Sequence, residues 1–316
     1  MKSESMVKIP LSPPLFLPLL LLILLSIPVF PQTRKPPEKE KEGYKLVVEV
    51  DLVGVQAIVT TPNGALVPGL KKEDFRVFEN GVEQEIAVFG KEADQPLSLC
   101  LLFDSSHSIV PELKTQQEAA IEFLHSVIRP VDRVSIYQVY DEVNELVHFT
   151  SRLEQLSAAL RSIKPAGGTS LYDAICLASE SLESMQGRKV IVIISDGDDT
   201  TSHTPLKECI KNSQNAGAAA YPLVVQPIKS EAGDNVGGRH AMIFLAEKTG
   251  GKHYLVSTVA ALRKSFGDLS DELRTQYYLG YYPKPSPKQA DRFRKIEVKV
   301  NNPLFQVRTR EGYYLR

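Results

Sequence analysis

The chain has 316 residues, 43% hydrophobic and 24% charged, with 37 basic and 38 acidic side chains and a formal net charge of −1. That is the balance of a folded globular protein. It excludes the strongly basic surface that nucleic acid or an anionic membrane would call for. Three cysteines, Cys100, Cys176 and Cys209, lie on apolar stretches with no C-x-x-C spacing. That argues against a disulfide framework and against a zinc site, while leaving room for one bridged pair.

Residues 1–32 read as a targeting segment. The apolar run 15–30, LFLPLLLLILLSIPVF, follows Lys2 and Lys8 and is interrupted by Pro18 and Pro28. It falls short of the about 20 residues a membrane span needs and suits the core of a secretory signal. A small-x-small cleavage site is missing, so two outcomes stand: cleavage near Pro31 or Gln32, or retention as an N-terminal membrane anchor. Both place the remainder outside the cytoplasm, in the periplasm or the extracellular space. Residues 33–43, TRKPPEKEKEG, are charged and Pro-containing, a tether without a core of its own.

Over 44–92 every run alternates with a period of two, as in half-buried strands. Asn63-Gly64 and Asn80-Gly81 are hairpin signals, and about four strands are expected. From 96 to 257 the character changes. LSLCLLFD is a continuous apolar run, suited to a strand buried on both faces of a parallel sheet. A helix is predicted over 112–128, then a hairpin of RVSIYQVY and NELVHFT around Asp141-Glu142. Helices over 153–163 and 170–185 precede a second buried strand, KVIVIISD. A helix over 206–216, the strand YPLVVQPI and a helix over 242–249 complete the region. This alternation predicts an α/β fold, a doubly wound, mostly parallel sheet with helices on both faces. Residues 258–316 supply a helix and three aromatic-rich strand candidates, QYYLGYYP, FRKIEVKV and FQVRTREGYYL. Three or four strands alone make a poor core, so the two flanks are expected to pair into one β-sandwich around the α/β domain.

In an open parallel sheet, ligands collect at the carboxyl ends of the strands. Two buried strands end there in acids, Asp104 and Asp196. Asp104 opens the sequence Asp104-Ser105-Ser106-His107-Ser108, in which one carboxylate and two hydroxyls on alternate positions can turn inward together. Thr169 adds a hydroxyl from a loop that Gly167 and Gly168 allow to approach closely. Oxygen donors of this kind suit a hard cation such as Mg²⁺, or else Mn²⁺ or Ca²⁺.

The series DSSHS, GGTSLYDAI and IVIISDGDDTTS resembles the metal-ion-dependent adhesion site of von Willebrand factor type A domains, in order and in spacing. The resemblance covers about 96–257, and the flanks resemble those of exported bacterial proteins with a type-A-related domain, acidobacterial members among them. It implies a Rossmann-like fold in which Asp104, Ser106 and Ser108 bind metal directly. Thr169 and Asp196 would exchange between direct and water-mediated roles. It also implies a protein partner presenting Asp or Glu to the metal, in an adhesion or interaction module that is not an enzyme.

Two other classes stay open at this point. One is a metal-dependent phosphoryl-transfer enzyme built on Asp104, although Ser106 stands where a second acid is wanted, and no suitable lysine or Walker-type loop is present. The other is an envelope scaffold with a vestigial metal site. Around the core set, His107 and His203 read as exposed loop residues. Asp198 and Asp199 read as solvated loop, a cation contact or a cap for the helix near Pro205. Asp173 reads as a support for the site or as a first-turn acid favoured by the helix dipole.

Overall fold

A computed structural model of the chain describes residues 52–91, 95–106, 112–225, 236–284 and 292–315. The expected leader and tether (1–43), His107, Ser108 and the turn near Gly233 lie outside the described residues. Among those described, no helix is long and apolar enough to cross a membrane.

The described residues begin with four strands, β1 (Val53–Thr60), β2 (Phe75–Glu79), β3 (Val82–Gln84) and β4 (Ile86–Lys91). The β2–β3 connection is Asn80-Gly81 with φ of 48° and 82°, the doubly left-handed pair that suits the twist of a two-residue hairpin. Asn63-Gly64 makes a smaller reversal, closed by a single bridge between Thr60 and Leu66.

The central domain follows as β5 (Leu97–Asp104), α1 (Leu113–Val127), β6 (Arg133–Val139), β7 (Val143–Thr150), α2 (Leu153–Ser162) and α3 (Leu171–Glu183). It continues with β8 (Arg188–Ser195), α4 (Leu206–Ala216), β9 (Ala218–Val225), α5 (Val236–Thr249), β10 (Tyr254–Val256) and α6 (Val259–Thr275). Its sheet has the order β10-β9-β8-β5-β6-β7, parallel except for β7, which pairs antiparallel with β6. Every residue of β5 and of β9 is buried, because helices cover both faces. Leu156, Leu262, Phe266 and Leu269 pack with α1 on one face; Ala174, Ile175, Cys209 and Leu245 pack on the other. Each large apolar side chain removed from water contributes roughly 1.5–3 kcal/mol, so two filled faces account for the apolar continuity of the central strands. The expected doubly wound architecture is present.

The chain ends with β11 (Tyr277–Tyr281), β12 (Phe293–Val300), β13 (Gln306–Arg308) and β14 (Gly312–Tyr314). They join the first four strands in two sheets, β13-β1-β11-β4 and β14-β12-β2-β3. Both sheets mix strands from the two ends of the chain: Val55 pairs with Leu279 and Val77 with Val298. Val55, Val77, Phe75, Leu279, Tyr281 and Ile296 close one core between them. This is the flanking β-sandwich expected from strands too few to stand alone.

One expectation fails locally. FQVRTREGYYL reads as a single strand, yet it is two, β13 and β14, in different sheets. The break falls at Thr309 and Arg310, where the backbone lies against Gly250, whose φ is +81° and whose missing side chain makes room. Arg310 donates to the Gln214 carbonyl at 2.6 Å and to the Gly54 carbonyl at 2.7 Å, and Arg308 pairs with buried Glu272 at 2.6 Å. The segment changes sheets because its arginines dock the sandwich on the other domain. Gln214 lies in the last turn of α4 and Gly250 follows α5, at the amino ends of the parallel strands.

Candidate metal centre

Asp104 is the last residue of β5, and Phe103 pairs with Ile194 of β8. That register sets Asp104 across from Ser195, one residue before Asp196. From β5 the chain runs to β6 and β7 on one side, then returns to β8 and β9 on the other. The pair β5/β8 is therefore the point where the winding reverses, the place at which an open sheet leaves a crevice beyond its carboxyl ends.

Asp104 is fully buried. Its Oδ2 accepts the Ser195 hydroxyl at 2.6 Å and its Oδ1 accepts the Ser106 N–H at 2.8 Å. The Ser106 hydroxyl also hydrogen-bonds the carboxylate. Burial pushes the Asp104 carboxyl up to about 6, opposed by these hydrogen bonds and assisted by the nearby negative charge of Asp196. Among the described residues no Lys, Arg or His forms an ion pair with it. A buried carboxylate beside a second carboxylate, without a basic partner, is costly unless a cation compensates it.

The Thr169 loop is tied to the same edge. The Ala166 N–H donates to the Ser105 carbonyl at 2.8 Å, and Gln138 Nε2 donates to both Ser105 Oγ and the Lys164 carbonyl at 2.9 Å. Asp141, in the β6–β7 turn, accepts the Gly168 N–H at 2.6 Å. A Cβ on Gly167 would overlap the Asp141 carboxylate, and one on Gly168 would lie 2.6 Å from it. A side chain at either glycine would therefore displace the Asp141 carboxylate from its present place. Thr169 itself is buried. Its N–H donates to Thr200 Oγ1 at 2.9 Å, and its carbonyl accepts the Thr200 and Thr201 N–H groups.

Asp196 is half-buried and accepts the Asp198 N–H at 3.0 Å. The loop after it corrects one expectation. Asp199 does not cap the helix near Pro205: its Oδ1 accepts the Tyr172 N–H at 3.0 Å, and Ser202 Oγ accepts the Asp173 N–H at 3.1 Å. The loop thus caps α3 from outside, satisfying donors that Ser170, whose side chain makes no cap bond, leaves free. Asp173 returns the contact, accepting the His203 and Thr204 N–H groups at 3.0 and 2.9 Å. The His203 side chain is exposed.

Asp104, Ser106, Thr169 and Asp196 thus lie on adjoining strand ends and loops at one edge of the sheet. Ser108 falls outside the described residues. Ser195 and Gln138, which help position that set, were not singled out from sequence, and Asp141 reads there only as the site of a turn. The donors are all oxygens, two carboxylates and hydroxyls, a set that fits a hard divalent cation.

Residues 99–198 match the family model of the von Willebrand factor type A domain, and the central domain has that fold. No curated protein matches the chain significantly. Among solved structures, proximal thread matrix protein 1 from the mussel byssus, "with zinc occupied MIDAS motif", aligns with a TM-score of 0.51 at 15% identity. The alignment covers 63% of this chain and 50% of that one. BatB from Bacteroides thetaiotaomicron aligns at 18% identity and a TM-score of 0.46, over 56% of this chain and 98% of its own. The vWF domain of the pilus tip protein Mfa5 from Porphyromonas gingivalis aligns at 13% and 0.47, over 56% and 94%. At these identities the likeness concerns the fold alone. Domains of this family commonly mediate metal-dependent protein interaction.

Proposed function

We propose that Asp104, Ser106, Ser108, Thr169 and Asp196 hold a divalent cation, Mg²⁺ or else Mn²⁺ or Ca²⁺, and that the domain is an exported module binding a protein through it. The observation that carries this reading is Asp104: a fully buried carboxylate at the reversal point of the sheet, raised to about 6 and lacking a basic partner among the described residues. When bound, the cation would supply a coordination position for an Asp or Glu of the partner. Ser195 and the Ser106 N–H fix the Asp104 carboxylate, Asp141 fixes the backbone bearing Thr169, and the five side chains leave a position open around a cation that takes about six oxygen ligands. Such a site grips an acidic group and has no need of a general base.

Export rests on the apolar run 15–30 and the charged tether after it. The test is calorimetric titration of the metal-stripped protein with Mg²⁺ and Mn²⁺, beside Asp104→Ala. Binding by the wild type and not by the variant is expected. Absence of binding by the wild type overturns the reading. A metal-dependent pull-down from an envelope fraction, abolished in Asp104→Ala, would then isolate the partner.

A further inference from the structure

Two of the three cysteines have no part in the metal centre, yet they meet. Cys176 on α3 and Cys209 on α4 are both buried free thiols, with sulfurs 3.0 Å apart. One turn further along, Ser179 Oγ and Ser213 Oγ lie 2.8 Å apart, so small side chains let the two helices run close together. A bond between the sulfurs requires closing by about 1 Å, to the 2.05 Å of a disulfide. Cys100 stands apart on β5, its thiol donating to the Ala178 carbonyl at 3.8 Å.

We propose that Cys176 and Cys209 are a disulfide-forming pair, oxidised by an external disulfide, and that the bridge staples α3 to α4 around the loop bearing Asp196. The two thiols are not equivalent. Cys176 retains slight exposure, at 7% against 0% for Cys209. The neutral Cys176 thiol donates to Cys209 Sγ; once ionised it would accept from Cys209 instead, which sets it below the usual thiol range. Cys209 is pushed far up by its bond to Cys176 and by burial, and it also donates to the Tyr172 carbonyl at 3.0 Å. Cys176 is thus the attacking thiolate. It takes one sulfur of the external disulfide into a mixed disulfide and releases the other as a thiolate, which takes up a proton. Cys209 then loses its proton and attacks Cys176 Sγ, breaking the mixed disulfide and releasing the second thiol. One external disulfide is reduced to two thiols as two cysteines become one bridge, so atoms and electrons balance.

The bridge would close a ring containing β8, Asp196 and the whole 196–205 loop. Cys209 touches the carbonyl of Tyr172, whose N–H is held by Asp199 of that loop, so the staple sits directly beneath the contacts that shape it.

The test is refolding of the full chain in a buffer of oxidised and reduced glutathione, followed by alkylation, peptide mapping and thermal unfolding with and without reductant. A linked Cys176–Cys209 peptide with Cys100 alkylated is expected, and the midpoint should fall by about 5–10 °C on reduction. Cys100→Ser should preserve both results, Cys176→Ser should abolish both, and Cys209→Ser should trap a glutathione adduct on Cys176. Three alkylated cysteines in the refolded wild type, a bridge involving Cys100, or a midpoint indifferent to reductant would each overturn the proposal.

Discussion

Asp141 accepts the Gly168 N–H at 2.6 Å, from a turn 27 residues earlier in the chain. A side chain at Gly167 or Gly168 would push the Asp141 carboxylate aside, so the contact and the two glycines together set how near the Thr169 loop comes to the sheet edge. Gly168→Ala should therefore weaken Mg²⁺ binding at least tenfold, measured by calorimetry, while most of the fold survives. Asp141→Ala should act in the same direction by freeing the loop. Unchanged affinity in both would show that Thr169 does not depend on this contact.

Burial raises Asp104 to about 6 from an ordinary 3.8. An acid raised on folding binds its proton more tightly in the folded state, so the metal-free protein should gain stability as pH falls through 6 towards 4. The gain amounts to about 3 kcal/mol at most. Asp104→Asn should lack this gain, and urea unfolding of both proteins at pH 7 and pH 4.5 isolates the difference. With cation present the trend should reverse, because protons displace it from the carboxylate. Parallel pH profiles for the two proteins would count against the buried, uncompensated Asp104 described above.

Asp199 holds the Tyr172 N–H and the Ser202 hydroxyl, at 3.0 and 2.6 Å. Asp199→Ala should destabilise the protein by about 1 kcal/mol, the usual worth of a helix cap. Hydrogen exchange should quicken in the first turn of α3 and in the 196–205 loop together. Faster exchange in only one of them would mean that they are not coupled through this side chain.

Arg310 spans the junction between the sandwich and the central domain, donating to Gln214 and Gly54. Arg310→Met leaves two carbonyls without these donors and should cost about 2 kcal/mol. Limited proteolysis should then release the terminal strands more readily, while metal titration is unaffected, since the contact lies at the opposite end of the parallel strands. A loss of metal binding would show that the junction reaches the site.

Much of the fold was legible because patterning and burial agree. LSLCLLFD, apolar but for Ser98 and Asp104, is buried throughout, Asn80-Gly81 forms the two-residue turn, and α4 spans Leu206–Ala216 as its periodicity suggests. The flanking sandwich followed from the inability of either set of strands to close a core. What escaped were relationships set by register and by distant loops. Ser195 is an ordinary strand serine until the pairing of Phe103 with Ile194 brings it to Asp104. Asp141 is an ordinary turn residue until the Gly168 loop arrives. Asp199 reads as solvated loop, with a cation contact or a cap for α4 as alternatives, because nothing in sequence brings the first turn of α3 near it; only the fold does.

The pairing of strands from the two ends of the chain also dictates an order of assembly. Tyr313 donates to Glu79 across 234 positions, so the sheets that β1 to β4 begin cannot be completed until β12 to β14 are available. Until then β1 to β4 keep unpaired edges, which template misassociation. The parallel-sheet domain depends on nearer contacts and can close first, bringing the late strands back to the early ones. A chain stalled or clipped before β12 would therefore keep a folded central domain and carry an adhesive, half-made sandwich.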